Sequence, residues 1–371
     1  MKIKFRPFLT AFAFTALFAS CKKDSDPVIV IDGNTSKTMT LEGLAGSESG
    51  ANAANSVFVD FSGDQQTSIL RSSWDLGFYG GSDFKVVINN TTGASVLQLS
   101  KTDLNAVTEA DLDVAALTLN IGRPDLPAEF TKLDDPRESN ILNKTAIAAV
   151  SASNPDNKVY LISLTGGTHS GSAITADAVY KIRILRNGVN YTLQYAKLKD
   201  VTFKTLDISK DPSYNFSYVS LTQGKTVTVE PKKANWDIEW TWSIYTDAKG
   251  TYVYGYSDLG FTNTLNGVQA FQASYADSAT AANAYKTFNK DSIGKYTFSS
   301  KRDVVGSNWR STATSPLGVI RNRFYVVKDP SGNYYKLKFL TVGEITTMSG
   351  TTFTDGGTRG KPSIQYKLIA K

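Results

Sequence analysis

The chain has 371 residues, of which 41% are hydrophobic and 20% charged, a composition typical of a globular protein that buries a core. Lys2, Lys4 and Arg6 lie in a predicted leader, and without these three charges the formal net charge falls from +6 to +3. This mild charge argues against nucleic-acid binding, which requires a strongly basic surface.

Residues 1–20 are predicted to be a bacterial lipoprotein signal peptide. A basic start is followed by an apolar run at 8–18 and then by small residues, the pattern of a secretory leader. The run is too short to span a bilayer as a mature helix. Cys21, the only cysteine, is expected to be acylated and to anchor the protein in the outer membrane without spanning it. The alternative is an ordinary signal peptide followed by an incidental cysteine.

Residues 21–54 are polar and partly rich in Gly, Ser, Ala and Asn, which predicts a flexible tether with at most a short strand at 37–41. Residues 22–26 resemble the charged segment that directs lipoproteins of Bacteroidota to the cell surface, although a solvated linker has the same composition.

The first β unit begins near Asn55, where apolar and polar residues start to alternate with the period of a half-buried strand.

A Trp-Asp-aliphatic motif occurs at residues 74–76 and again at 236–238, each time after an alternating β run and a Gly-containing turn. When Ser56 is aligned with Tyr218, the tryptophan follows 18 positions later in both copies. Such an internal echo indicates a duplicated structural unit. Both motif tryptophans are expected to lie in the core.

Three further landmarks recur in the same order: an Asn-containing turn at 89–93 and 263–267, a hairpin turn at 187–188 and 329–332, and a closing β strand at 211–218 and 361–368. Asn-Gly is the preferred dipeptide for a two-residue hairpin turn. We therefore predict an all-β fold, with mainly antiparallel sheets and a few short helices, in two similar domains at 55–217 and 218–371.

Two groups of aromatic residues alternate along predicted strands of the second unit. Tyr252, Tyr254 and Tyr256 are expected to share one strand face, which could stack on a flat apolar ligand or a glycan, or could serve ordinary sheet packing. A second set is expected to share one face and to pack in the core: Trp236, Trp240 and Trp242.

Catalytic motifs are sparse, and the chain is predicted not to be an enzyme. The sequence contains no G-x-S-x-G elbow, no P-loop and no zinc-type spacing of ligands. His169, the only histidine, lies in a Gly/Ser/Thr loop, and Met348 lies in a polar β turn. Either side chain could ligate a haem iron, or His169 could be a solvated loop residue and Met348 could have no role.

The order of motifs in the second unit resembles the HmuY family, surface lipoproteins of Bacteroidota of which several capture haem. The resemblance is best over residues 216–371, from the Trp-Asp-Ile strand through the Asp-Pro-Ser-Gly hairpin to the closing strand. Residues 56–218 look like a more divergent copy. The founding member holds haem between two histidines and other members are thought to use two methionines. This chain has one histidine, so no ligand position is carried over.

The resemblance implies a haemophore-like module that binds haem or another porphyrin and passes it to a TonB-dependent outer-membrane transporter. The alternative is a lipoprotein that binds a glycan or a protein without haem. Because the Trp-Asp strands recur in both units, we expect them to be structural and the ligand to bind at loops that differ between the units.

Overall fold

The computed structural model describes residues 35–167, 173–347 and 349–371. The predicted signal peptide and Cys21 lie outside these ranges, as do His169 and Met348.

The described residues form short β-strands joined by turns, with two α-helices. The strands are β1 (Lys37–Thr40), β2 (Asn55–Asp60), β3 (Gln65–Leu70), β4 (Leu76–Tyr79), β5 (Val86–Ile88), β6 (Ser95–Gln98), β7 (Val159–Ser163), β8 (Tyr180–Asn187), β9 (Asn190–Lys197), β10 (Lys204–Ile208), β11 (Phe216–Ser220), β12 (Lys225–Val227), β13 (Ile238–Thr246), β14 (Val253–Thr262), β15 (Gln269–Ser274), β16 (Arg310–Ser311), β17 (Gly318–Val319), β18 (Arg323–Lys328), β19 (Tyr334–Thr341), β20 (Ile345–Thr346), β21 (Thr352–Phe353) and β22 (Ser363–Ala370). The helices are α1 (Val114–Leu117) and α2 (Ser278–Thr287). Short 3-10 turns lie at Gly50–Asn52, Arg71–Ser73, Leu104–Ala106, Glu109–Asp111, Pro127–Thr131, Asn154–Asp156, Lys233–Asn235, Thr264–Asn266 and Lys290–Lys295.

Four sheets carry the architecture, and every strand pair in them is antiparallel. Sheet 1 has the order β10-β9-β8-β7-β6, sheet 2 β12-β11-β4-β5, sheet 3 β14-β13-β2-β3, and sheet 4 β1-β22-β19-β18-β15. The predicted fold class, all-β with mainly antiparallel sheets and a few short helices, is therefore confirmed.

The buried side chains divide the molecule into two halves. One large core joins sheets 1 and 2 and a second joins sheets 3 and 4, while a smaller aromatic cluster lies between sheets 2 and 3. All strands of sheets 1 and 2 come from residues 74–230, which we call the first half. Sheets 3 and 4 combine residues 35–73 with residues 231–371, which together we call the second half.

The strands do not group as the predicted domains do. The hairpin β2–β3 precedes the first half in sequence, yet β2 pairs with β13 in sheet 3. The hairpin β11–β12 precedes the second half, yet β11 pairs with β4 in sheet 2. The predicted domains at 55–217 and 218–371 therefore differ from the halves, and their boundary falls inside β11. Adjacent position in the sequence suggested one domain, but hydrogen bonding joins each hairpin to the strand of the other unit.

The two halves repeat the same order of strands. Sheet 4 matches sheet 1 strand for strand, with β1 in the place of β10, and sheet 3 matches sheet 2. The equivalence extends to side chains: buried Lys181 on β8 and buried Lys336 on β19 both donate from Nζ to main-chain carbonyls, those of Val107 at 2.8 Å and Tyr285 at 2.6 Å.

Three of the sequence alignments are corrected by this equivalence. Phe61 N and Leu221 N make the same hydrogen bond to a motif aspartate, so Tyr218 corresponds to Phe58 and not to Ser56. The hairpin at 187–188 joins β8 to β9, whereas the turn at 329–332 joins the equivalents of β7 and β8. The closing strand β22 corresponds to β9, because each lies between the Lys-bearing strand and the sheet edge.

The predicted tether ends earlier than residue 54. β1 pairs with β22, as the short strand expected at 37–41 allows, and Leu41 and Ala53 are buried in the core of the second half. A β-carbon on Gly43 would lie 2.2 Å from the Trp240 ring, so this segment packs directly on the core. Residues 37–54 are therefore structural, because β1 completes sheet 4.

Candidate functional site

Four tyrosines of β13, β14 and their connecting turn form one aromatic surface, which we call the tyrosine face: Tyr245, Tyr252, Tyr254 and Tyr256. Tyr252 and Tyr254 have ring centroids 6.3 Å apart, and Tyr254 and Tyr256 5.2 Å apart, both edge to face. Tyr256 also contacts Tyr245 at 6.1 Å. Tyr252, Tyr254 and Tyr256 therefore lie on one face, as expected. Tyr254, at the centre of this face, is 38% exposed.

A β-bulge extends this aromatic surface inward. The register of β13 and β14 shifts between Thr241 and Ser243, opposite Asp258, whose φ of 58° lies in the left-handed region. An extra residue in one strand reverses the alternation beyond it. Leu259 and Phe261 therefore contact the same cluster as Tyr245, although their numbers are odd.

Two cations hold the bulge in place. The carboxylate of Asp258 is fully buried and pairs with Arg310 at 3.6 Å and with Arg359 at 2.5 Å. Arg310 also lies 5.9 Å from the ring centre of Tyr256. This buried ion group fixes the backbone on which the tyrosine face is built.

The hydroxyl groups of Tyr256 and Tyr245 lie beside opposite charges, which shift their pKa values differently. Burial raises the pKa of Tyr256, and the positive charge of Arg310 partly opposes the shift. The hydroxyl of Tyr245 donates to the carboxylate of Asp303, and burial together with that negative charge raises its pKa further. Both groups are therefore neutral phenols at physiological pH, able to donate hydrogen bonds and to stack on a flat surface.

A cavity of about 130 Å³ lies between sheets 2 and 3, and we call it the central cavity. Trp74 packs edge to face on Tyr218 at 4.8 Å, and Trp236 packs in the same way on Phe58 at 5.0 Å. All four rings line the cavity. The expectation that Trp-Asp segments are only structural therefore misses that both of them border this space.

Buried polar groups also face the central cavity. Glu230 accepts from Phe216 N at 2.7 Å, and burial raises its pKa to about 8; burial also raises the pKa of Glu239. Trp236 Nε1 and Arg302 Nε are buried and have no hydrogen-bond partner among the described residues. Small-molecule sites typically measure about 300–1,000 Å³, so this space suits a few water molecules or a very small polar ligand and excludes a porphyrin.

The three tryptophans predicted on one face separate into three environments. Trp236 belongs to the cluster between sheets 2 and 3, Trp240 to the core of the second half, and Trp242 packs against the core of the first half beside Arg71. Trp236 stands apart because it precedes β13. The extra residue of the bulge lies on β14, since Thr241 and Ser243 pair with Leu259 and Tyr256, so Trp240 and Trp242 stay at alternate positions of β13 and pack against different cores. Trp236 is buried in this cluster, as expected, whereas Trp74 is only partly buried against it.

The other predicted site residues are not brought together by the described part of the chain. Cys21, His169 and Met348 lie outside it. In sequence, His169 falls between β7 and β8 of the first half, and Met348 between β20 and β21 of the second. Among the described residues no group of three or more His, Cys, Asp or Glu could hold a metal ion. No helix in the same ranges is long and apolar enough to cross a membrane.

The sequence could not have revealed the central cavity, because its walls meet only through the pairing of β2 with β13 and of β11 with β4. The bulge had a weak signal: a Ser-Asp pair interrupts the Tyr-x-Tyr-x-Tyr alternation at 257–258. Aspartate tolerates the left-handed conformation better than most residues.

The segment that contains the tyrosine face matches a known protein family. Residues 212–366 match the HmuY family, described as HmuY protein. The matched segment runs from just before β11 into β22 and includes all of β13, β14 and α2. No curated protein matches the chain.

Proposed function

Because residues 212–366 belong to the HmuY family, a family of haem-binding-type surface proteins, we propose that this protein captures haem or another porphyrin at the cell surface. The family match carries the proposal. In this proposal Cys21 is acylated and anchors the chain in the outer membrane, and the bound porphyrin passes to a TonB-dependent transporter. The role is binding and transfer, with no catalysed reaction.

The tyrosine face supports a planar ligand. It lies within the matched segment, and its rings form a continuous half-buried surface with Tyr254 outermost. Aromatic side chains stack on flat apolar molecules, and a phenol oxygen can ligate haem iron. His169 and Met348 remain the proposed axial ligands, one from each half in sequence.

Haemin titration of the protein from Lys22 onward tests this proposal. We expect a saturable shift of the Soret band, a change of its position in His169→Ala or Met348→Ala, and affinity about tenfold weaker in Tyr254→Ala, which loses one stacked ring. Tyr214→Ala, at a half-buried tyrosine outside the face, is the matched control and should bind as the parent does. A titration without any Soret shift contradicts haem capture.

One observation favours a second function, the binding of a glycan or protein without haem. The tyrosine face is an open surface with an exposed central ring, and such rings also stack on sugars. If haemin fails to bind while Tyr254→Ala, and not Tyr214→Ala, weakens retention on immobilised polysaccharide, this second function is supported. Equal retention of both variants contradicts it.

A further inference from the structure

A second cavity, of about 310 Å³, lies between α2 and the ends of β18 and β19, and we call it the basic cavity. Its volume falls within the range of small-molecule sites, about 300–1,000 Å³. Trp309 and Phe339 form part of its wall and stack with ring centroids 3.9 Å apart and an interplanar angle of 15°. On the helix side it meets the small residues Ala281 and Ala282. The basic cavity is thus lined by a stacked aromatic pair and by small residues of α2.

Three cations and no carboxylate line the basic cavity: Arg321, Arg323 and Lys338. Arg321 donates to Leu340 O at 3.2 Å and Arg323 to Asn308 O at 3.0 Å, and neither pairs with a carboxylate of the described residues. Burial lowers the pKa of Lys338, and the like charges of Arg321 and Lys286 lower it further. A bound anion would relieve this repulsion.

A buried hydroxyl without a partner adds a hydrogen-bonding group. Tyr325 on β18 lines the basic cavity and is 1% exposed, and its Oη has no hydrogen-bond partner among the described residues. The equivalent residue of the first half is Tyr160 on β7. Tyr160 directly precedes the residue that pairs with Lys181, and Tyr325 directly precedes the residue that pairs with Lys336. Tyr160 Oη donates to Gln98 at 2.8 Å and accepts from Ala148 N at 3.0 Å.

Buried polar groups are nearly always hydrogen-bonded, and an unpaired one indicates a missing partner. We propose that the basic cavity binds a small organic anion with a planar aromatic body, such as an aromatic carboxylate. The ring lies along Trp309 and Phe339, the carboxylate faces the three cations, and Tyr325 donates its hydroxyl hydrogen. This site is separate from the tyrosine face and does not depend on haem capture.

Calorimetric titration of the protein from Lys22 onward with 2-naphthoate, and with the uncharged 2-naphthamide, tests the charge requirement. We expect 2-naphthoate to bind at least about tenfold more tightly, because hydrogen bonds to charged groups are stronger than neutral ones. Lys338→Gln should bind 2-naphthoate about tenfold more weakly than the parent. Lys290→Gln, which removes an exposed charge outside the cavity, should keep the parent affinity. Equal binding of the two probes, or equal loss in both variants, overturns the proposal.

Tyr325→Phe separates a role in binding from a role in folding. We expect 2-naphthoate affinity to fall about tenfold while the thermal midpoint stays equal or rises, because a buried hydroxyl without a partner gives no stability. Tyr160→Phe is the matched control: it removes two hydrogen bonds and should lower the midpoint without affecting the probe. Unchanged affinity in Tyr325→Phe contradicts the proposed contact. Displacement of bound haemin by 2-naphthoate would overturn the separation of the two sites, whereas failure of haemin to bind leaves this proposal standing.

Discussion

The motif aspartates, one per half, join strands that are distant in sequence. Asp237 Oδ2 accepts from Phe61 N at 2.8 Å, and Asp75 Oδ2 accepts from Leu221 N at 2.7 Å. Each carboxyl thus binds the hairpin that arrives from the other sequence unit. Burial is the main cause that raises the pKa of Asp75 to about 6 and that of Asp237 to about 8.

The raised pKa of Asp237 predicts a pH-dependent stability. The unfolded chain releases this proton near pH 4, whereas the folded chain keeps it up to about pH 8. The stabilising contribution is therefore complete below pH 4 and is lost as pH rises to about 8. Asp237→Asn cannot ionise and keeps an oxygen for Phe61 N. Between pH 5 and pH 8, we expect its free energy of unfolding in urea to improve relative to the parent by about 1 kcal/mol or more.

Asp291→Asn, at an exposed aspartate on a 3-10 turn, is the control and should follow the parent at both pH values. Parallel pH profiles of the parent and Asp237→Asn would show that the carboxyl ionises normally in the folded protein.

For single residues, the sequence predicted which tryptophans lie in the interior but not against which core each of them packs. The burial of Trp236 and the partial burial of Trp74 agree with their recurrence in matched contexts. The packing of Trp240 and Trp242 against different cores does not follow from the sequence, because alternation by number specifies a strand face and not the sheet that covers it. The bulge after Thr241 depends on the buried pairing of Asp258 with Arg310 and Arg359, and these contacts are long-range.

Single elements show why local signals misled the alignment. The turns at Asn187-Gly188 and at 329–332 both close hairpins, as predicted, and the side chain of Asp277 caps α2. Turn chemistry identifies a hairpin but not which hairpin it is. The Tyr-Lys pairs at 180–181 and 335–336 identify the equivalent strands β8 and β19, since both lysines are buried and donate to backbone carbonyls.

The contact of β2 with β13 gives a prediction at the level of elements. Ser56 Oγ and Thr241 Oγ1 are buried and lie 2.7 Å apart across this pairing. Thr241→Val removes the hydroxyl that Ser56 Oγ contacts, at a cost of about 1–3 kcal/mol, whereas in Ser56→Ala the Thr241 hydroxyl still donates to Trp242 O at 3.0 Å, so that variant should lose less. The double variant should lose less than the sum, by about 0.5–1.5 kcal/mol, in urea unfolding of all four proteins.

A distant pair provides the reference for this cycle. Ser95 on β6 donates to Leu117 O within the first half, so Ser56→Ala and Ser95→Ala should have additive effects. Additivity in the Ser56 and Thr241 cycle would contradict the pairing of β2 with β13.

For the whole molecule, the sequence predicted the fold class but not the grouping of the strands into halves. Domain boundaries at 55–217 and 218–371 follow from the order of motifs in the chain. The structural grouping of 74–230 against 35–73 with 231–371 follows from hydrogen bonds between β2 and β13 and between β11 and β4. A periodic pattern specifies which face of a strand is buried, and it does not specify the neighbouring strand.

Expressing fragments of the chain distinguishes the division into sequence-order domains from the division into halves. Residues 74–230 contain every strand of sheets 1 and 2 and should fold alone, with dispersed amide resonances and cooperative unfolding. Residues 218–371 lack β1, β2 and β3 and should not. Because Lys37 lies opposite Tyr366 in the pairing of β1 with β22, a permuted chain of 231–371, a short Gly/Ser linker and 35–73 should recover a folded second half.

The controls for this experiment are residues 55–217 and residues 231–371 without the linked N-terminal segment, which we expect to remain unfolded. Cooperative folding of 218–371 alone would support the division by sequence order and contradict the division by halves.

The reciprocal placement of the two hairpins also fixes an order of assembly during synthesis. Ser56 and Thr241 are 185 residues apart, so β2–β3 leaves the ribosome long before its partner β13 exists. The strands of sheets 1 and 2 have all their pairing partners within residues 74–230, so we expect these sheets to close first. The early hairpin meanwhile keeps an unpaired edge and the exposed side chains of Val57 and Val59, both fully buried at the end. Such non-local closure is slow and leaves chains prone to aggregation, so we expect the capture of the N-terminal hairpin to follow the closure of sheets 1 and 2.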